Sequence, residues 1–198
     1  MMKNYGIPVA SEGWPFIIPL AVVSGLLYYF GWKNTAAVAA VLTLFVLFFF
    51  RDPERTVPSG RGLIVSPADG KVIVIKEVFE EQYLKQNMLQ ISIFLNVFNV
   101  HIQRVPISGE VKEVRYHPGK FLAAWDDKAS LDNEQVGLVL DTGRHRILCK
   151  QIAGLIARRI ACWASVGEHI KIGDRYGLIR FGSRVDIFLP VGSEVKVK

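Results

Sequence analysis

Residues 179–190 read IRFGSRVDIFLP, and the reading of this stretch decides how the rest of the chain is understood. Two strand-like runs, RYGLIRFG (175–182) and SRVDIFLP (183–190), meet at Gly182-Ser183, with Arg180 and Arg184 on either side. Read locally, Gly-Ser between two strands is a tight turn, because glycine accepts a positive φ at no steric cost. It is not a nucleophile elbow of the G-x-S-x-G type. FGSRV lacks the second glycine, and no helix follows it.

Upstream of this stretch, short β-rich runs alternate with turn signals: KVIVIKEV, LQISIFL, NVHIQRV, GEVKEVRY, VGLVLDT and HRILCKQI. The last two flank Thr142-Gly143-Arg144 and read as a hairpin. Strands spaced this regularly predict a mainly β (α+β) unit over residues 63–198, built as an antiparallel barrel or sandwich. HPGKFLAAWDDKASLDNEQ (117–135) lacks periodicity and is long for a plain connection, which marks it as a candidate active-site loop. RDPERTVPSGRG (51–62) is polar and rich in Pro and Gly, and reads as a linker.

Residues 1–50 have a different solvent. PFIIPLAVVSGLLYYFGW (15–32) and TAAVAAVLTLFVLFFF (35–50) carry no charge and are separated only by Lys33 and Asn34. Each is at or slightly below the roughly 20 residues a spanning helix needs. Together they predict a transmembrane helical hairpin, with Trp14, Tyr28, Tyr29 and Trp32 at its interfaces. Lys3 precedes the hairpin and Arg51, Arg55 and Arg61 follow it, while Lys33 alone occupies the turn. The positive-inside rule therefore places both termini, and residues 63–198, on the cytoplasmic side of a cell membrane. A cleaved signal peptide competes, since Ala37-Val38-Ala39 resembles a cleavage site. Cleavage there would leave an apolar stump from Ala40 to Phe50.

Composition narrows the classes further. Half of the 198 residues are hydrophobic (51%), and the excess lies before Arg51. The formal net charge of +6 suits an anionic membrane surface, whereas no compact Lys/Arg block with interleaved aromatics points to nucleic acid. Cys149 and Cys162 form no CxxC and no zinc spacing, so they read as buried free thiols in a reducing compartment, and no metal is expected.

Four further stretches change the weight of Gly182-Ser183. FFFRDPER (48–55) closes the apolar segment, SPADGKV (66–72) sets Asp69 between a Pro turn and a strand, and NVFNVHIQRVPISGEV (96–111) sets His101 in a strand. With HPGKF (117–121) and FGSRVDIFLP (181–190), in this order, they closely resemble the phosphatidylserine decarboxylase proenzymes of the short, membrane-anchored type. Taken alone, Asp69 is a turn-capping carboxylate and His101 a half-buried strand histidine.

The resemblance implies an enzyme whose cofactor, a pyruvoyl group, is made from its own Ser183. Ser183 Oγ would attack the carbonyl of Gly182 and exchange the amide for an ester. β-Elimination would give dehydroalanine, and hydrolysis would give the pyruvoyl group and ammonia. The products are chains 1–182 and 183–198, which stay partnered because RVDIFLP has apolar residues to bury. It also implies an Asp69–His101–Ser183 arrangement that drives processing. The pyruvoyl carbonyl would then form a Schiff base with phosphatidylserine, release carbon dioxide and yield phosphatidylethanolamine, with His101 as the proton donor.

Arg115, Lys120 and Arg180 are candidate phosphate contacts and His117 a candidate substrate contact; solvated surface charge is the alternative for the three cations. Longer relatives often carry a second histidine where this chain has Arg104, so His101 serves both steps here or another group helps. Arg184 stands where many relatives have Thr. A decarboxylase of ether-linked phosphatidylserine would use the same chemistry. A membrane-anchored binding protein that never processes would keep the chain whole. VGEHIKIGDRYGLIRFGSRVDIFLPVGSEV (166–195) also has the cadence of a lipoyl- or biotinyl-type barrel-sandwich hybrid, without the lysine that such a carrier modifies. A homo-oligomer is compatible with all of these readings.

Overall fold

The structure, a computed structural model, describes residues 8–60, 62–119, 133–154, 159–180 and 182–197. The chain divides into two compact units, one over residues 3–54 and the other from Arg55 onward.

In the first unit, a turn of 3-10 helix (Ser11–Gly13) leads into α1 (Trp14–Tyr29), and α2 spans Lys33–Phe49. Pro15 opens α1, where a missing N–H costs no helical bond. Gly31 ends it at φ +83, with Trp32 N–H donating to Leu27 O (2.9 Å) and Gly31 N–H to Tyr28 O (3.0 Å). This left-handed cap satisfies the last carbonyls and reverses the chain. Ser24 Oγ donates to Ala36 O (3.0 Å), tying α1 to α2. At the other end Ala10 N–H donates to Phe50 O (2.8 Å), and Val9 and Arg51 form an antiparallel bridge. The helices are therefore an antiparallel pair. Ser11–Tyr29 is long and apolar enough to cross a membrane, while Lys33–Phe49 is apolar but shorter.

The second unit is mainly β. Its strands are β1 (Lys71–Glu80), β2 (Gln86–Leu95), β3 (Ile102–Arg104), β4 (Gly109–His117), β5 (Gln135–Asp141), β6 (Arg146–Ala153), β7 (Ile160–Cys162), β8 (His169–Ile170), β9 (Arg175–Ile179) and β10 (Ser183–Pro190). Seven form an open sheet in the order β1-β2-β10-β6-β5-β4-β8, and three form a second sheet in the order β3-β9-β7. Every pairing is antiparallel. The expected β5–β6 hairpin is present, with Gly143 at φ +81 and Thr142 N–H donating to His145 O (3.0 Å).

The stretch around Gly182-Ser183 departs from the local reading. β9 and β10 do not pair, so Gly182-Ser183 is not a hairpin turn: β9 belongs to the small sheet and β10 to the middle of the large one. The physical reason lies in β10 itself. Every residue from Ser183 to Leu189 is buried. A strand buried on both faces takes a central place, with partners on both sides. Those partners are β2 and β6, so the preceding residues must cross between sheets.

One face of β10, with Val185, Ile187 and Leu189, packs with Leu89, Ile91, Ile93, Ile147, Cys149 and residues of the small sheet in the shared core. The other face places Phe188 with Met88, Val139 and Leu148.

The β1–β2 connection folds over that second face. The Glu80 carboxylate accepts from Tyr83 N–H (2.8 Å), Leu84 N–H (2.8 Å) and buried Lys150 Nζ (3.0 Å). Tyr83 presses on Gly137, where a Cβ would lie 2.2 Å from the hydroxyl. Burial pushes the Glu80 carboxyl upward, but the Leu84 and Tyr83 amides and Lys150 together hold it below its ordinary value. A depressed folded value means that the unfolded chain binds more protons. Its contribution is present above the unfolded value and is lost as pH falls through the folded one. Glu80→Gln should therefore lower the urea midpoint at neutral pH, with the gap to wild type closing as acid titrates the folded carboxylate. A pH-independent gap would contradict this.

Candidate active site

Ser183 opens β10 with Leu95 opposite it on β2 and Ala153 opposite it on β6. It is fully buried, and its Oγ has no hydrogen-bond partner among the described residues. Burying a hydroxyl unpaired costs about 1–3 kcal/mol, so such a group in a native fold calls for a functional reason. Gly182 precedes it at φ +72, in the left-handed region, with nothing within 4 Å of the position a Cβ would take. The backbone conformation, and not crowding, is what asks for glycine here. The result is a partnerless hydroxyl directly after a glycine held in the left-handed region.

His101 is fully buried at the entrance to β3. Its carbonyl accepts from Ile179 N–H (3.4 Å), and Ile102 pairs with Leu178. His101 therefore sits beside the end of β9, the strand that leads toward Gly182. Its Nδ1 lies 3.0 Å from Asn99 O. A carbonyl only accepts, so Nδ1 carries the proton and a neutral ring keeps its lone pair on Nε2. Asn99 is set by its own turn, its Oδ1 accepting from Asn96 N–H (2.9 Å).

A line of buried amides runs on from His101. Gln103 Nε2 donates to His101 O (2.8 Å), and Gln151 Nε2 donates to Gln103 Oε1 (2.9 Å). Gln151 lies opposite Val185 on β10, and Gly177 makes room for it, since a Cβ there would meet Gln151 Nε2 at 2.4 Å. Sequence reading passed over both glutamines. The available signal was a glutamine at a core-facing position in each of two apolar strands.

Asp69 lies in the bend before β1, half-exposed, and its carboxylate pairs with the Arg55 guanidinium. Gly70 abuts Phe94 O, and Phe94 faces Arg184 across the β2–β10 pairing. Asp69 is thus about two strand spacings, roughly 10 Å, from the start of β10. Arg104 N–H donates to Pro67 O (2.9 Å), which ties the same bend to β3. The Arg104 side chain donates to Gly173 O (3.0 Å), a structural bond.

The other candidates are spread along the same end of the sheet. Arg184, Ile152, Gln135 and His117 occupy one row across β10, β6, β5 and β4. His117 meets the Tyr83 ring edge-on at 5.9 Å, and its Nε2 is buried without a partner among the described residues. Arg115 is engaged with its neighbours, paired with Glu113 and lying 4.8 Å over the Tyr83 ring. Arg180 sits between β9 and Gly182, its N–H donating to Arg159 O (3.3 Å). Lys120, with residues 120–132 of the candidate loop, lies outside the described residues. The chain re-enters beside Ser183, where Asn133 Nδ2 donates to Ala153 O (2.7 Å) and Ala153 N–H to Glu134 O (2.9 Å).

Among the described residues no group of His, Cys, Asp and Glu is placed to hold a metal. Cys149 and Cys162 are free; burial pushes the Cys149 thiol up to about 12, so it is inert as a nucleophile.

Residues 42–198 match the family described as Phosphatidylserine decarboxylase. The chain is 49% identical over 197 residues to the phosphatidylserine decarboxylase proenzyme of Geotalea daltonii, covering 99% of this chain and 92% of that one. It is 51% identical over 192 residues to the proenzyme of Symbiobacterium thermophilum, with 96% and 88% covered. With that of Polynucleobacter asymbioticus it shares 46% over 186 residues, with 94% and 86% covered. A match over most of both chains, at this identity, places this chain in the phosphatidylserine decarboxylase family.

Proposed function

We propose that the chain is a proenzyme which cuts itself between Gly182 and Ser183 and then decarboxylates phosphatidylserine to phosphatidylethanolamine. The observation that carries this reading is the buried, partnerless Ser183 hydroxyl next to a left-handed Gly182. Relatives that are called proenzymes support it.

Ser183 Oγ forms a bond to the Gly182 carbonyl carbon, and the Gly182–Ser183 C–N bond breaks. His101 takes the hydroxyl proton on Nε2, the atom left basic by the Nδ1–H···Asn99 contact. That proton passes to the departing nitrogen; removal of the residue 183 α-proton with loss of the 1–182 carboxylate, then addition of water with release of ammonia, leaves the pyruvoyl group on residue 183. That group supplies the electron sink for the pair freed with carbon dioxide. His101 holds the proton that returns to the substrate α-carbon. Asp69 is assigned a positioning part through Arg55 and the bend that abuts Phe94. The re-entry point at Asn133 borders the space assigned to the headgroup, with Arg180 and Lys120 as candidate anion contacts around it; His117 and Arg115 stand in the rows of Arg184 and Asp186, on the face opposite the Ser183 side chain. Chain 183–198 stays in place because β10 is paired on both sides.

The lipid substrate gives the first unit its purpose. The α1–α2 pair is read as a membrane hairpin, and Arg51, Arg55 and Arg61 favour the cytoplasmic side. Cations near an anionic surface draw phosphatidylserine by about 1 kcal/mol each. Two antiparallel sheets over a shared core support the sandwich part of the expected architecture, and the lipoyl-type likeness is carried by the cadence of residues 166–195 alone.

Ser183→Ala should fold with a wild-type urea midpoint yet bring phosphatidylserine decarboxylation in mixed vesicles to background. Retained turnover would remove Ser183 from the chemistry. The full chain should remain in the membrane pellet on alkaline carbonate extraction, and release to the supernatant would contradict the anchor.

A further inference from the structure

β10 carries a second polar group, on the face opposite the shared core. Arg184 is only 2% exposed, one of the largest fully buried side chains in the protein. Its Nε donates to Asp186 Oδ1 (2.6 Å) and its Nη2 to Ser92 Oγ (2.8 Å). Gln90 Nε2 donates to Asp186 Oδ2 (3.0 Å) and lies 3.1 Å from Ser92 Oγ. Arg184 and Asp186 share one face of β10, and Gln90 and Ser92 share the same face of β2, with Asp186 directly opposite Ser92. Four side chains thus close a ring that spans the first residues of β10.

Stability alone is a poor reason for this ring. Removing a guanidinium and a carboxylate from water is costly, and apolar residues of similar volume often serve a core as well or better. What a fixed fork of hydrogen bonds supplies instead is position. The residue whose position matters is the neighbour, Ser183. Strand alternation turns its side chain to the other face, so the ring does not enter the reactive space. In the uncut chain, residue 183 is held from one side by Gly182 and from the other by Arg184. After the cut it is a chain end, and strand ends fray.

Building on the proposed cleavage at Ser183, we infer that Arg184, with Asp186, Ser92 and Gln90, is the positioning device that keeps residue 183 and chain 183–198 in register once the Gly182 bond is gone. Arg184 acts through the backbone of residue 183 and is not itself catalytic.

The test compares cleaved wild type with Arg184→Met and Arg184→Lys. Short chain retained through native size exclusion is counted by mass spectrometry, and amide exchange at residues 185–187 is measured before and after cleavage. Wild type should show the same protection cleaved as in uncut Ser183→Ala. Arg184→Met should lose the short chain several-fold more readily and exchange those amides about tenfold faster once cleaved. Its kcat per cleaved chain should fall with little change in KM, and Arg184→Lys should lie between. Retention, exchange and kcat equal to wild type in Arg184→Met would overturn the proposal. If Arg184→Met yields no cleaved protein, Ser92→Ala carries the test. It removes one acceptor from the fork and should show the same pattern in smaller measure; wild-type behaviour there would also overturn the proposal. A wild type that never cleaves refutes the reading of Ser183 itself, which separates the two failures.

Discussion

Much of this structure depends on the burial of β10 on both faces. From Ser183 to Leu189 every residue is buried, and the strand lies between β2 and β6. A strand so placed cannot pair with the one just before it without giving up a central position, so the residues between Ile179 and Ser183 must pass from one sheet to the other. That crossing sets Gly182 in a left-handed conformation and leaves the first side chain of β10 enclosed. The same burial would let the proposed cut next to Ser183 be tolerated. The segment after it keeps two ladders of hydrogen bonds and an apolar face in the core, without needing its covalent link.

Around this strand the protein accumulates buried polar groups that a purely structural core would avoid. Ser183, His101, Gln103 and Gln151 are all fully enclosed, and so are Arg184 and Asp186 on the opposite face. The amide nitrogens and the ion pair are hydrogen-bonded. The Ser183 hydroxyl is the exception among the described residues of β10. The two polar groups sort by face: one side carries the hydroxyl and the imidazole-to-glutamine line, and the other carries a hydrogen-bonded fork. Strand alternation separates the two sets, in line with the proposed division between reacting and holding.

Legibility in the sequence followed the range of the interactions concerned. The two apolar runs announced helices by composition, and the β5–β6 hairpin announced itself by Thr142-Gly143-Arg144, because both are local. The Gly182-Ser183 junction was misread as a turn for the converse reason. A positive-φ glycine between two strands looks the same in a hairpin and in a crossover, and only the distant partners Leu95 and Ala153 tell them apart. The Asp69–Arg55 pair joins two of the stretches that carried the resemblance, but which side chains meet across them is not legible in either alone. Gln103, Gln151 and Arg184 went unassigned because their roles rest on facing side chains from other strands. Ser183 and His101 stood out through motif order, which resemblance supplied and periodicity did not.

The central claim is that Ser183 is consumed by its own chain. Intact mass of the purified, denatured protein tests it most directly. The account predicts two species, a chain ending at Gly182 and a chain of residues 183–198 lighter by one ammonia than the simple hydrolytic peptide. A single uncut chain from folded protein, or a short chain that still carries an α-amino group, would contradict it.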